Sequence, residues 1–294
     1  MCQQLFDKYH RAQRSENLKI SIEKWESANH KSVYFRAVKF KTKKELKSFL
    51  DAQVELFEKP EFFEADPLGI PHRFSKKEDI EISGFLAATI AWGNRKSIIN
   101  SANRMCLLMD NAPHDFILNH TEEDYKKLEG FVHRTYNSVD LQYFFFALQR
   151  LYNEQNGLEG IFTDGFSFHG NAAGAISEFK KQFFQFEHLK RTQKHVSDPM
   201  KGSSAKRLNM YLRWMVRPAD KGVDFGLWKN IPLNKLMIPL DVHTGNIGRR
   251  LGLLVRTQND WRAVEELMTA LRKFDSEDPA KYDFALFGLG VSGF

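Results

Sequence analysis

Lys206 and Asp241 are the two residues of this 294-residue sequence whose types and surroundings could do chemistry together. Lys206 lies in a basic segment that follows a glycine turn, and Asp241 lies between an apolar approach and a second basic segment. A deprotonated lysine is a nucleophile, and free backbone N–H groups at a helix start favour a bound anion. A lysine and a carboxylate on a phosphate-binding scaffold therefore form a candidate catalytic combination.

The basic segment 197–217 predicts a turn followed by a helix. Gly202 permits close approach of the backbone to a ligand, and Ser203 and Ser204 complete the turn. The spaced cations of the helix fall on one face: Lys206, Arg213 and Arg217. This face is either simply solvated or placed against phosphates, and the entry turn at Gly202 favours phosphates.

Asp241 follows the apolar tripeptide 238–240 and is predicted to be the N-cap of a helix. Capping could be its whole role, or it could also carry chemistry. Two roles are also open for His243, two residues further on: it could be a structural hydrogen-bonding residue or part of a functional motif. The run 248–252, Gly-Arg-Arg-Leu-Gly, adds positive charge near the same carboxylate.

Composition indicates a globular protein, and its basic charge favours a polyanionic partner, although many basic proteins bind nothing acidic. Hydrophobic residues make up 42% of the chain, 26 residues are Phe, and the net charge is +6 with a pI near 9.1. The two cysteines, Cys2 and Cys106, exclude a disulfide framework, a four-thiolate zinc site and an iron–sulfur cluster, and they fit a reducing cytoplasm. No apolar run approaches the roughly 20 residues of a membrane span, and the N-terminus lacks the apolar core of a signal peptide.

The elements around the two candidate residues are predicted to be helical. Apolar residues at helical spacing indicate helices over 42–59, 80–91, 98–109, 141–152 and 172–185, besides the one that begins near Ser204. Ser75 and Glu78 are spaced as a capping box for the helix at 80–91. No alternation of strands and helices is visible. The sequence predicts an all-α, two-lobed helical bundle, with residues 1–74 as an extension of unclear role and the main region at 75–294.

Several segments in collinear order resemble the helix-hairpin-helix base-excision DNA glycosylases, most closely the 8-oxoguanine branch that includes the archaeal type. They are the glycine turn and lysine helix near 190–217, Pro-x-Asp-x-His within 238–253, Gly-Phe-x-x-Arg at 130–134, the run 82–95 and the closing segment 278–290. The resemblance covers roughly residues 75–294. The chain is also similar to an uncharacterised bacterial family, domain of unknown function 2400.

The resemblance implies a role for each matching residue. Lys206 matches the lysine that attacks the sugar C1′, and Asp241 matches the carboxylate that assists it. Asn94 matches the residue that fills the space left by the flipped base. Further DNA contacts are expected from Gly202, Ser203, Ser204, Arg207, Arg213, Arg95 and His243. Base-pocket walls are expected from Trp228, Phe287 and Phe294, although Trp228 could instead pin its loop to the core.

Two departures from the family pattern concern the hairpin and the spacing. The family's hairpin usually reads Gly-x-Gly, and here only the first glycine, Gly202, is present. Lys206 and Asp241 are 241 − 206 = 35 positions apart, which is wider than the usual spacing in the bacterial endonuclease-type relatives, and the additional residues lie in 218–235. An insertion there could have moved the pair out of register. Lys201 is the second candidate nucleophile.

The activity implied is that of a DNA glycosylase with AP-lyase activity on oxidised purines such as 8-oxoguanine. Such an enzyme would act as a monomer on duplex DNA with damaged bases, with no cofactor, metal or iron–sulfur cluster. The alternatives are a non-catalytic helix-hairpin-helix protein that binds DNA and an unrelated helical scaffold. Retention of both Lys206 and Asp241 favours the enzyme, and the collinear order of the segments disfavours the scaffold.

Overall fold

The computed structural model of the protein describes residues 40–62 and 66–294, and eleven α-helices lie in these two ranges. They are α1 (Lys43–Phe57), α2 (Lys77–Thr89), α3 (Arg95–Leu108), α4 (Pro113–Asn119), α5 (Ser138–Glu154), α6 (Gly157–His169), α7 (Ala172–Phe183), α8 (Lys206–Val216), α9 (Val242–Arg250), α10 (Trp261–Leu271) and α11 (Tyr282–Val291). One antiparallel hairpin, β1 (Val132–His133) and β2 (Tyr136–Asn137), lies between α4 and α5. The predicted all-α class is confirmed for this part of the chain.

α2 is the central helix of the core. Every residue from Ile80 to Thr89 is buried, as the apolar run predicts. A Cβ atom at Gly84 would lie 3.3 Å from the side chain of Met215 and 3.4 Å from that of Tyr211. The small residue at this position therefore allows α2 and α8 to pack closely, which fixes α8 against the core.

Phenylalanines from several helices form the centre of the core. The ring of Phe85 on α2 has its centroid between 5.6 and 5.8 Å from the rings of Phe144, Phe179, Phe183 and Tyr211. Three of the four contacts are edge-to-face, the geometry that the aromatic quadrupole favours. Helices α2, α5, α7 and α8 thus share one aromatic core.

Side-chain caps mark where several helices begin. An Asn or Asp side chain accepts a hydrogen bond from the backbone N–H three residues on at Asn94, Asn137, Asn171, Asp241 and Asp260. The predicted capping box of Ser75 and Glu78 is wrong. α2 begins at Lys77 with Lys76 at the N-cap position, so Ser75 lies one residue too early to cap it.

The predicted boundary at residue 74 does not separate α1 from the later helices. A Cβ atom at Gly288 of α11 would lie 2.3 Å from the ring of Phe57, and the Tyr282 hydroxyl donates to Asp51 at 2.8 Å. The described residues form one compact unit by their contacts, without a division into two lobes. The remainder of the predicted extension, including Cys2, lies outside the described residues.

α11 packs between α1 and α9. At its C-terminal end, a Cβ atom at Gly290 would lie 2.7 Å from Cβ of His243, so α9 approaches α11 as closely as α1 does. This places α11 beside the helix that Asp241 caps. Within the described ranges, none of the helices combines the length and the apolar character needed to cross a membrane.

Candidate active site

The structure brings Lys206 and Asp241 together. Lys206 is the first residue of α8, Asp241 is the N-cap of α9, and the distance from Lys206 Nζ to Asp241 Oδ2 is 3.2 Å. The Lys206 side chain is 33% exposed and the Asp241 side chain 16% exposed. The insertion at 218–235 has therefore not moved the pair out of register, and both groups remain accessible from solvent.

Asp241 caps its helix and pairs with lysine at the same time. Its Oδ1 atom accepts a hydrogen bond from the Thr244 backbone N–H at 2.9 Å, while its Oδ2 atom faces Lys206. The Asn259 amide donates to the Asp241 carbonyl at 3.0 Å. Because capping fixes the carboxylate through one oxygen, the other oxygen is held in place for a second partner.

α8 begins without a side-chain cap. Gly202 has φ of +86°, a left-handed conformation that glycine adopts without strain, and Ala205 at the N-cap has φ of +45°. The turn is tied to α10 by the Trp261 N–H, which donates to the Gly202 carbonyl at 3.1 Å. Ser203 Oγ accepts from the Ala205 N–H at 3.2 Å. The first turn of α8 therefore offers uncapped N–H groups next to Lys206.

The segment before this turn, where a helix-hairpin-helix motif would have its first α-helix, contains only short 3-10 turns. Residues Lys190–His195 and Pro199–Lys201 form 3-10 turns, so the region 190–217 contains one α-helix, α8, preceded by short turns. Lys201 is exposed at the end of the second turn and has no ion pair among the described residues. Of the two candidate nucleophiles, Lys206 is the one that contacts the carboxylate of Asp241.

Arg213 and Arg217, expected to contact phosphates, are buried, and this part of the prediction is wrong. Arg213 is 7% exposed and forms ion pairs with Asp283 and Asp224. Arg217 is 5% exposed. Its partners are Glu58 at 2.6 Å, Asp224 at 2.7 Å and Asp278 at 2.9 Å. The cationic face of α8 turns inward after its first turn because buried carboxylates accept both guanidinium groups.

Asp224 comes from the insertion, which runs back along α8. The Phe225 N–H donates to the Trp214 carbonyl at 2.8 Å, and the Trp228 N–H donates to the Met215 carbonyl at 3.0 Å. Trp228 itself is fully buried, with its Nε1 donating to Glu81 at 2.7 Å. Trp228 pins the insertion to α2 and does not line an open base pocket, which corrects that expectation.

Asp283 on α11 was missed by the sequence analysis. It is 6% exposed, and burial raises its pKa to about 6 against the opposing effect of Arg213. The charges of Asp241 and Lys206 also act on it. A signal was present, because Asp283 is the only charged residue within the apolar run 282–291. A lone carboxylate in such a helix requires a buried partner.

Arg207 is half-buried and connects α8 to the end of α2. Its guanidinium donates to the Thr89 carbonyl and lies 4.8 Å from the centroid of Trp92. Burial lowers the pKa of Arg207 to about 10. Arg207 therefore fixes the corner after α2 relative to Lys206, and only part of its side chain is available to a ligand.

The corner between α2 and α3 is exposed, as expected. Asn94 Oδ1 accepts from the Ser97 N–H at 3.2 Å, and Arg95 is free of carboxylate partners among the described residues. An open cavity of about 440 Å³ adjoins the corner. It is lined by Asn94, Lys96, Ser97, Asn100, Ser101, Arg104 and Val132. Its lining carries two cations and no carboxylate.

The remaining predicted residues lie along α9 and α11. His243 is exposed, and its ring centroid is 6.0 Å from that of Phe287, which is half-buried. Phe294 lies further towards α1, with Arg250 4.6 Å above its ring and Phe49 5.7 Å away. His243 and Phe287 are thus brought close to Asp241, whereas Phe294 contacts α1.

Comparison with known proteins gives one match. The family model described as "Protein of unknown function (DUF2400)" matches residues 66–292. No curated protein and no solved structure matches the chain.

Proposed function

Since the chain belongs to the DUF2400 family, whose description assigns no activity, we propose from the site itself that it is a DNA glycosylase with AP-lyase activity. The substrate class is oxidised purine bases such as 8-oxoguanine in duplex DNA. The proposal rests on one observation above the others, the contact of Lys206 Nζ with Asp241 Oδ2 at 3.2 Å. Two residues 241 − 206 = 35 positions apart meet at the starts of two helices, at a partly exposed point.

In the proposed reaction Lys206 acts as the nucleophile. Its neutral amine forms a bond to C1′ of the sugar while the bond from C1′ to the base nitrogen breaks, and the departing base takes up a proton. Asp241 stabilises the positive charge that develops on the sugar. A second proton then passes from the lysine nitrogen to the ring oxygen O4′ as the bond from C1′ to O4′ breaks, which leaves an imine between Lys206 and C1′. Loss of a proton from C2′ and departure of the 3′ phosphate as the 3′ C–O bond breaks complete the β-elimination.

The charge distribution favours a nucleic acid as the partner. Residues 92–109 contain Arg95, Lys96 and Arg104 and no carboxylate, and residues 188–217 contain eight Lys or Arg against the single carboxylate of Asp198. Arg213 and Arg217 belong to that second group but are buried in ion pairs. Arg191 is paired with Asp140. Lys201 is exposed at the Gly202 turn, and Arg95 and Lys96 are exposed at the Asn94 corner. Such cations attract phosphates.

A target base must leave the DNA stack before its sugar can be attacked. The exposed Asn94 corner, fixed to α8 through Arg207, would occupy the space that the base leaves. His243 and Phe287 lie next to Asp241 and would contact the extruded nucleotide. The alternative, a non-catalytic DNA-binding protein, is favoured by a single feature, namely that Asp241 caps α9 and so has a structural use.

Borohydride trapping tests the proposal. Reduction of the imine cross-links the protein to duplexes that carry 8-oxoguanine opposite cytosine or an abasic site. Wild type should cross-link, Lys206→Gln should not, and the matched control Lys201→Gln should cross-link like wild type. Binding of both variants to duplex DNA should be nearly unchanged, since one charge among many is removed. If wild type binds duplex DNA without any cross-link, the non-catalytic alternative holds.

A further inference from the structure

Asp283 is a buried carboxylate beside the candidate catalytic pair, and it has no part in the chemistry described above. It lies on α11, which packs directly against α9, the helix that Asp241 caps. Its carboxylate accepts from Nη1 of Arg213. Asp283 therefore contacts a cation of α8 and also lies in the electrostatic field of Lys206 and Asp241.

Two cations of α8, Arg213 and Lys206, lie close enough to Asp283 for their charges to act on it, as does the carboxylate of Asp241. Lys206 and Arg213 are seven residues apart, which places them on one face about two helical turns, or roughly 10 Å, apart. A guanidinium has five donors and a planar fork that suits carboxylates better than an ammonium does. If Arg213 were without its own acceptors, Asp241 would be a strong competing partner for it.

The acceptors present occupy Arg213 on two sides. Nη1 donates to Asp283, and Nε lies 3.4 Å from Asp224 Oδ1. Asp224 is shared with Arg217, because its Oδ2 atom lies 2.7 Å from Nη1 of Arg217. Asp283 is consequently the anion that chiefly holds Arg213 in its buried position.

We propose that Asp283 is a positioning residue which, by holding Arg213, keeps the carboxylate of Asp241 available to Lys206. This inference rests on the proposed function in assigning Lys206 and Asp241 to catalysis. Its geometric content, the choice of partner by Arg213, is independent of that assignment.

Protonation of Asp283 should have the same effect as its removal. Its pKa is raised to about 6, so below that pH the carboxyl becomes neutral and holds Arg213 less tightly. The charges that act on it are those of Arg213 and Lys206 from α8, Asp241 from the start of α9 and Asp224 from the insertion. The elements next to α11 carry further titratable groups, which are Asp51 and Glu58 in α1 and at its C-cap, His243, Arg249 and Arg250 in α9, Arg217 at the end of α8, and Asp275, Asp278 and Lys281 before α11. The rate of cross-linking should therefore fall as pH drops through about 6.

The first experiment is independent of activity. Crystal structures of wild type and Asp283→Asn, without DNA, are compared with that of Asp278→Asn, which removes a carboxylate of the same network that contacts Arg217 instead. In Asp283→Asn, the Arg213 guanidinium should lie within hydrogen-bond distance of Asp241, and Lys206 should have moved away. In Asp278→Asn, the contact of Lys206 with Asp241 should persist. An Arg213 that stays away from Asp241 in Asp283→Asn overturns the proposal.

The second experiment measures cross-linking rates from pH 5 to 8. The cross-linking rate of Asp283→Asn should be roughly 10- to 100-fold lower than that of wild type at pH 7.5, a part of what full loss of the stabilising charge causes. Below pH 6 its rate should fall less steeply than that of wild type. The double variant Arg213→Gln/Asp283→Asn should recover most of the rate, because no arginine is left to compete for Asp241. Removal of both members of a buried ion pair can also restore stability, so the melting temperatures of wild type and of the single and double variants are measured alongside. A rate that falls and recovers only in proportion to the melting temperature, or that does not recover in the double variant, overturns the proposal. If wild type gives no cross-link, the proposed function fails, while the crystal structures still decide the role of Asp283.

Discussion

The two ends of α8 carry the same kind of charge on the same face and have different surroundings. At the first turn, Lys206 is one-third exposed and meets the single carboxylate of Asp241. At the last turn, Arg217 is 5% exposed and shares three carboxylates, Glu58, Asp224 and Asp278. The first arrangement leaves a reactive group accessible, and the second satisfies a buried charge on every side.

This contrast shows how to separate a structural ion pair from a candidate catalytic one. Removing a partner from a buried, multiply bonded group leaves uncompensated charge in the interior, so the fold depends on it. An exposed pair contributes little to stability, so its presence at a helix start needs another reason. Stability and activity should therefore respond in opposite ways at the two ends of the helix.

The largest effect should follow from breaking the buried end. Arg217→Gln leaves Glu58, Asp224 and Asp278 without their shared cation and should lower the free energy of unfolding by about 3–5 kcal/mol. Urea unfolding monitored by circular dichroism measures it. An effect below about 1 kcal/mol, as for a surface pair, would remove the contrast between the two ends.

At the exposed end, the charge of Asp241 should matter more than its capping. Asp241→Asn keeps an oxygen that can cap α9, so melting should change little, whereas base excision should slow by about 10²–10³-fold. Single-turnover excision of 8-oxoguanine measures the rate. Asp260→Asn makes the same change at the N-cap of α10 and should leave the rate unaltered. Equal rates for the two variants would assign Asp241 to capping alone.

A buried contact between a histidine and a carboxylate, outside α8, tests the structural half of the comparison through the pH dependence of stability. His195 Nε2 lies 3.3 Å from Asp140 Oδ2, and burial lowers the pKa of His195 to about 4. In the unfolded chain this pKa is about 6.5. Between those values the unfolded state binds the proton and the folded state does not, so stability should fall as pH drops from about 6.5 to 4.

The measurement is the melting temperature over that pH range, and His195→Gln serves as the comparison. Glutamine can still donate to Asp140 but does not titrate, so the variant should show a shallower decline than wild type. Parallel curves for the two proteins would mean that His195 does not contribute to the acid sensitivity.

Exposure should also decide which cations bind DNA. Arg95→Gln should weaken binding to damaged and undamaged duplexes equally and reduce the slope of log affinity against log salt by about 1. Fluorescence anisotropy over a salt series measures the slope. Arg150→Gln is the control, since Arg150 is exposed on α5 but already paired with Glu154. If both variants change the slope alike, the surface around Asn94 has no special role.

The smallest effect should be that of Lys206 on stability. Lys206→Gln should change the free energy of unfolding by less than about 1 kcal/mol, because a partly exposed pair that is screened by solvent contributes little. The same urea titration as for Arg217→Gln gives the comparison directly. A loss as large as that of Arg217→Gln would make Lys206 part of the structural network.

Much of the fold was predictable from sequence, because helix formation depends on neighbours three or four residues apart. The apolar spacing placed α1, α2, α3, α5, α7 and α8, and the position of Asp241 predicted the start of α9. Helices α4, α6 and α10 were not predicted. α6 begins directly after α5, where Asn156 and Gly157 adopt positive φ. The predicted Ser75 cap is wrong because α2 begins at Lys77 and its N-cap position is Lys76, one residue after Ser75.

The pairing of charges was decided by the tertiary structure alone. Lys206, Arg213 and Arg217 share one helix face, and the sequence gives no basis for exposing the first and burying the other two. That choice depends on carboxylates from α1, the insertion and α11, up to 159 residues away in the chain. Because the energy of an ion pair depends on burial and on distance, it is determined only when distant helices pack, whereas caps and helical periodicity are determined locally.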